Sequence, residues 1–107
     1  MSLDGLDQVF QDSLDEEVKK LASCSIEELL DKDDYGSFKV VNQEIEISIG
    51  WWKWQKWHID DNTYHIVLQA QRKLGLGFYR NYLSGIKFDV VNGTIESLSD
   101  EEIVDYD

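Results

Sequence analysis

The sequence predicts an α+β fold, in which an N-terminal helix or helix pair packs on an antiparallel meander sheet of about five or more strands. Apolar residues recur every three or four positions in the first third of the chain, and every second position from Ser37 onward. The links between strands are short, and the chain contains no proline. We therefore expect a single domain over residues 1–107: 1–35 helical, 36–98 in antiparallel strands that are either open or curled toward a partial barrel, and 99–107 an acidic tail or short helix.

The helical region starts with an apolar stripe interrupted by charged residues, which comprises Leu3, Leu6, Phe10, Leu14, Val18 and Leu21. Ser13 and Glu16 have the spacing of a capping box, so this stripe is either one helix or two short ones. Ser25 and Glu28 repeat the spacing and predict a second helical stretch over about residues 26–32.

Turn signals divide the rest of the chain into strands, which we predict at 38–40, 45–49, 51–57, 63–73, 78–83, 86–91 and 94–98. A turn or bulge is expected at 42–43, a flexible link or bulge at 74–77, and a turn at Ser84 and Gly85. Asn92 and Gly93 predict a two-residue type I′ hairpin turn. Ser99 precedes a glutamate at capping-box distance and predicts the short last helix.

The chain is strongly acidic, and its charged residues are unevenly distributed. The formal net charge is −12, with −8 in residues 1–35, +2 in residues 36–90 and −6 in residues 91–107. Such a chain is expected to avoid nucleic-acid backbones and anionic membranes. No apolar run is long enough for a spanning helix, the first residues are acidic, and there is one cysteine, so a cytoplasmic location is expected.

All four tryptophans lie within residues 51–57. A two-residue turn at Asp61 and Asn62, or a four-residue loop of the same register, would pair Trp54 with Gln69 and Trp52 with Gln71. One side of this hairpin would then be apolar and face the core. The other side, here called the tryptophan face, combines aromatic rings with amides and few charges, a composition typical of interface centres. Its members are Trp52, Trp54, Lys56, His58, His65, Val67, Gln69 and Gln71.

Two other interpretations of the tryptophan face remain open. A curled sheet or a covering loop would bury Trp52 and Trp54 as packing residues. His58 and His65 with Asp60 resemble a zinc ligand set only weakly, since no further carboxylate or cysteine has ligand spacing. We therefore predict no metal site, no cofactor and no catalytic residue.

The function that these patterns favour is a non-enzymatic protein-interaction module. It would dock on a basic partner through the tryptophan face, with the acidic ends of the chain steering the encounter. An inhibitor or immunity-type protein that neutralises a basic enzyme is the concrete form of this hypothesis. A binder of a small ligand or sugar through the same aromatic face is the alternative, and a small enzyme without a recognisable motif comes third. A homodimer is a further possibility for the partner, whereas nucleic acid and membrane are not expected.

Overall fold

The structure, a computed structural model, describes residues 2–55 and 62–104, with the side chains of residues 5–55 and 62–103. Three helices and five strands follow one another along these residues: α1 Ser2–Ala22, α2 Ile26–Asp31, β1 Tyr35–Asn42, β2 Ile45–Gln55, β3 Thr63–Gly75, β4 Phe78–Asp89, β5 Thr94–Ser97 and α3 Asp100–Val104. None of the described helices is long and apolar enough to cross a membrane.

The five strands form one antiparallel sheet in the order β1-β2-β3-β4-β5, which is a meander. The sheet curls into a half-barrel with α1 packed on its concave side, so the predicted fold class is confirmed. The core lies between the two layers, because α1 contributes Phe10 and Leu14 and the central strands contribute Ile49 and Ile66. More buried and less buried positions alternate along β2, whereas β3 is buried on both sides from His65 to Leu68.

The apolar stripe of the first third is one helix rather than two. Ser13 lies buried in its middle, and its hydroxyl donates to the Val9 carbonyl at 2.9 Å instead of capping a new helix. Asn42 donates to the same hydroxyl at 3.0 Å and ties the end of β1 to the helix. Ser25 does form the predicted capping box, with reciprocal hydrogen bonds to Glu28, and α2 begins directly after it.

The predicted turn at Ser84 and Gly85 is wrong, because β4 runs through both residues without a break. Gly85 lies opposite Val67 in the sheet, and a Cβ atom at this position would lie 2.3 Å from the Ile66 carbonyl oxygen. The glycine therefore permits a close approach within a strand and does not mark a chain reversal.

Two hairpin turns also differ in detail from the prediction. The β1–β2 turn consists of Gln43 and Glu44, both at positive φ, one residue later than expected. The β4–β5 connection is not a two-residue type I′ turn, because Asp89 pairs with Thr94 and residues 90–93 form the loop. The Asp89 carboxylate accepts the Val91 and Asn92 N–H groups at 2.8 and 2.9 Å, which stabilises this wider loop.

Candidate interaction surfaces

The register of the β2–β3 hairpin is shifted by four residues from the predicted one. Trp54 pairs with His65 and Trp52 with Val67, so the predicted pairing of these tryptophans with Gln69 and Gln71 is wrong. The last pair is Gln55 with Tyr64, and residues 56–63 lie between them, which is more chain than the assumed turn contains. Because the shift is an even number, each side chain keeps its side of the sheet.

The tryptophan face is more buried than an open surface. His65 is 1% exposed and Val67 is 0% exposed, whereas Trp52, Trp54 and Gln69 are half-buried and Gln71 is exposed. The Trp54 and His65 rings meet edge to face, with their centroids 5.9 Å apart. His65 and Val67 therefore have almost no surface to offer a partner in this conformation. Lys56, His58 and Asp60 lie outside the described residues.

The chain after β5 covers part of this side of the sheet. Leu98 is buried, its N–H donates to the Gly85 carbonyl at 2.9 Å, and its Cδ1 atom occupies space beside the glycine. This packing contributes a small second core that the sequence analysis missed. Gly85 was the available signal, since a glycine inside a strand pattern often marks the close approach of another group.

Helix α3 is fastened by a single carboxylate. Glu102 accepts the Ser99 N–H at 2.9 Å, its own N–H donates to the Ser99 hydroxyl, and Lys87 of β4 donates to it at 2.9 Å. The pKa of the Glu102 carboxyl is lowered to about 2, mainly by the hydrogen bond from the Ser99 N–H and to a smaller extent by Lys87. This confirms the predicted capping box and adds a tie to the sheet that sequence spacing did not indicate.

A second charged cluster joins α1 to the β3–β4 hairpin. The Asp7 carboxylate accepts from Arg72 at 2.8 Å, from Arg80 at 2.6 Å and from the Tyr82 hydroxyl. The hydrogen bond from Tyr82, with the two guanidinium groups, lowers the pKa of Asp7. Burial and the Asp7 carboxylate raise the pKa of Tyr82. Every member of this cluster is paired with another, so we interpret it as a structural tie.

An open groove of about 1180 Å³ runs beside α1 and is here called the acidic groove. Its carboxylates are Asp12, Asp15, Glu16, Glu17 and Asp100. Its apolar lining consists of Val18, Val40, Val41, Leu83, Leu98 and Ile103. Lys19 and Lys20 also line it, but Lys20 lies 2.8 Å from Glu17 and Lys19 lies 3.9 Å from Glu16, so the groove remains negative.

A smaller space of about 190 Å³ lies between the end of α1 and the concave side of the sheet and is here called the apolar cavity. Phe38, Trp51 and Leu68 line its sheet side, and Leu21 and Cys24 line its helix side. The Lys32 ammonium lies 4.2 Å from the centroid of the Trp51 ring at its rim. A cavity of this composition suits a small apolar group.

No metal-binding group is evident in the described part of the chain, where no three His, Cys, Asp or Glu side chains are placed to hold an ion. Comparison of the sequence and the structure with protein-family models, curated proteins and solved structures gave no match.

Proposed function

We propose that this protein is a non-enzymatic interaction module that binds a basic protein partner. The acidic groove carries the proposal, because it combines carboxylates along α1 with an apolar floor. Carboxylates attract a cationic segment over long range, and apolar side chains stabilise the complex after contact. An inhibitor that neutralises a basic enzyme remains the concrete form of this function.

The location of the carboxylates supports docking at the groove. Asp15 and Glu16 follow Asp12 by about one turn of α1, and all three are exposed. Asp12 and Asp15 accept hydrogen bonds from the glutamines four residues before them. Asp100 approaches the same groove from the start of α3. Lysine and arginine side chains of a partner would therefore meet carboxylates on both walls.

The tryptophan face enters this proposal with a smaller role than the sequence suggested. Trp52, Trp54, Gln69 and Gln71 keep some exposure, and docking on them stays a prediction. His65 and Val67 would act indirectly, by holding the tryptophans in place. A partner that covers both the groove and these four side chains is compatible with the proposal but is not required by it.

The test is binding of a short lysine- and leucine-containing peptide to the ¹⁵N-labelled protein, followed by NMR. Amide shifts should concentrate on residues 11–20, 40–42 and 97–103. Affinity should fall by about tenfold or more between roughly 0.05 M and 0.3 M NaCl, because exposed charges are screened. Shifts confined to other parts of the chain would contradict the proposal.

Two variants with the same net charge distinguish the effect of the groove carboxylates on binding from the effect of the overall charge. Asp12→Lys/Asp15→Lys/Glu16→Lys changes the groove, and Glu44→Lys/Glu46→Lys/Glu96→Lys makes the same change in net charge on exposed strand and turn positions. The first variant should lose peptide binding and the second should retain most of it. Equal losses would mean that the overall charge, and not the groove, attracts the peptide.

A second candidate function is binding of a small ligand, and the apolar cavity is the observation that favours it. An aromatic molecule the size of indole would be tested by thermal shift and by protection of Cys24 from a thiol reagent. Leu68→Trp should fill the cavity and abolish both effects. A ligand that stabilises this variant as much as the parent protein would contradict binding there.

A further inference from the structure

The β3–β4 hairpin has a charge unlike the rest of the molecule. From Thr63 to Phe88 the chain contains no aspartate or glutamate and four basic residues, Arg72, Lys73, Arg80 and Lys87. The remaining chain carries all 22 acidic residues. This separation gives a strongly acidic protein one long hairpin that is cationic.

The end of that hairpin, residues 73–80, is here called the hairpin tip, and it is apolar as well as cationic. Ala70 is the last β3 residue paired with β2, and beyond it β3 and β4 pair with each other and with no other strand of the described residues. Leu74, Leu76, Phe78 and Tyr79 follow there, with exposures between 44% and 97%. Contiguous exposed side chains of this kind mark protein or membrane contacts on soluble domains.

The backbone holds the most exposed of these side chains at an unfavourable turn position. Leu76 and Gly77 form the turn, and Leu76 has φ +54° while its side chain is 97% exposed. Asparagine or glycine is the favoured residue at such a position, and a branched apolar side chain is not. Leucine there stabilises neither the turn nor the core, so its side chain is available for an external contact.

We propose that the hairpin tip docks on the surface of an anionic lipid bilayer. Leu76 and Phe78 enter the boundary between headgroups and acyl chains, while Lys73 contacts lipid phosphates and carboxylates. Arg80 is held by Asp7 and is still 46% exposed, so it adds positive charge beside the membrane surface. The arrangement combines apolar insertion with basic residues at the same end of one element, which are the two attractions that peripheral membrane contacts use.

A lipid surface fits the tip better than a protein surface does. An aromatic side chain offers roughly 150–250 Å², so four partly exposed side chains fall short of the roughly 800 Å² per partner that a standard protein interface buries. The tip is also convex, so a flat protein surface would contact only part of it. A fluid headgroup layer closes around a small convex projection.

The net charge of −12 does not prevent this contact, because the turn residues of the tip lie beyond the ion pairs that join the hairpin to α1. The Asp7 carboxylate contacts the hairpin near its tip, where Arg72 and Arg80 neutralise it. Leu76 lies four residues beyond Arg72, roughly 10–14 Å along the strand. This exceeds the Debye length of about 8 Å at physiological ionic strength, so charges on the body are largely screened there.

Co-sedimentation with vesicles of phosphatidylcholine, with or without about 30% phosphatidylserine, tests the proposal directly. We expect binding to the anionic vesicles, at least about fivefold weaker binding to the neutral ones, and loss of binding in about 0.5 M NaCl. Leu76→Ser/Phe78→Ser should reduce partitioning by about tenfold or more. The matched variant Tyr35→Ser/Val91→Ser removes comparably exposed apolar side chains elsewhere and should bind like the parent.

A fluorescent label on a single introduced cysteine locates the contact. In a Cys24→Ser background, an environment-sensitive dye on Leu76→Cys should shift to the blue with anionic vesicles, and the same dye on Val91→Cys should not. Absence of vesicle binding by the folded protein, or equal shifts at both positions, would overturn the proposal. The proposal would also be overturned if the blue shift of the dye on Leu76→Cys increased with protein concentration and did not depend on lipid. That result would make the tip a contact between copies of this chain.

Discussion

Gly85 lies where β3 and the chain after β5 both approach the backbone of β4 closely. The missing side chain leaves room for the Ile66 carbonyl on one side and for Leu98 on the other. Lys53 presents the opposite case, since it is a buried cation on the core side of β2. Each residue looks ordinary in the sequence and acquires its role only from a neighbour distant along the chain.

Gly85→Ala should destabilise the fold by about 2 kcal/mol or more, because the added methyl group would meet backbone at 2.3 Å. Chemical denaturation monitored by circular dichroism measures this change. Gly50→Ala is the matched control, since its Cβ would meet only the Gly36 carbonyl at 3.9 Å. The control should be neutral or stabilising by about 0.5 kcal/mol; similar losses in both variants would contradict the close-approach interpretation.

Lys53→Met should cost about 1–3 kcal/mol, because it removes the donor for the carbonyl groups at the end of α2. The Lys53 ammonium donates to Leu30 at 2.8 Å, to Leu29 at 3.3 Å and to Lys32. Thermal unfolding measures the loss, and amide exchange should show opening concentrated in α2. Lys39→Met, which removes an exposed pair with Glu46 at 3.5 Å, should cost less than about 0.5 kcal/mol.

Among the elements, α3 depends most on one titratable group. Five residues are too few for a stable isolated helix, so its position depends on Ser99, Glu102 and Lys87. The hairpin β3–β4 depends instead on its long ladder of hydrogen bonds, which extends past the rest of the sheet. These two elements should therefore respond differently to acid.

The Glu102 contacts should contribute stability that is lost in acid. The folded pKa of about 2 is below the ordinary value of 4.5, so the contribution is complete above about pH 4.5 and disappears as the pH falls toward 2. We expect amide exchange in α3 to accelerate in this interval while the β3–β4 ladder remains protected. Glu102→Gln should have a less protected α3 already at pH 7 and a smaller change with pH; an unchanged pH response would contradict the prediction.

At the scale of the whole molecule, the large negative net charge predicts self-repulsion among the carboxylates. The net charge is −12, and the carboxylates are concentrated in residues 1–34 and in the chain after β5. Local pairs such as Asp7 with Arg80 offset only part of this repulsion. The stability should therefore increase with ionic strength, whereas the stability contributed by isolated salt bridges decreases with ionic strength.

The melting temperature should therefore rise by a few degrees between about 0.01 M and 0.2 M NaCl at pH 7, since screening weakens repulsion among the carboxylates. Scanning calorimetry measures this shift. Asp12→Asn/Asp15→Asn/Glu16→Gln lowers the negative charge by three and should show a smaller rise. A melting temperature that falls with salt would mean that ion pairs outweigh repulsion.

Periodicity alone made much of the fold predictable. The change from a helical period to a period of two identified the layers. The alternation of apolar and polar residues identified the core side of the β2–β3 hairpin, even though the assumed register was wrong. Capping boxes at Ser25 and Ser99 were also readable, because they join residues three positions apart.

The sequence by itself determined the fold class, the strongly acidic character and the side of the sheet on which the described residues of the β2–β3 hairpin lie, because these depend on local spacing or on composition. Tertiary structure decided the β2–β3 register, the burial of His65 and Val67, the passage of β4 through Gly85 and the exposure of the hairpin tip. Each of these depends on which distant segment packs against a residue. Such contacts involve the whole chain at once, and no window of neighbouring residues contains them.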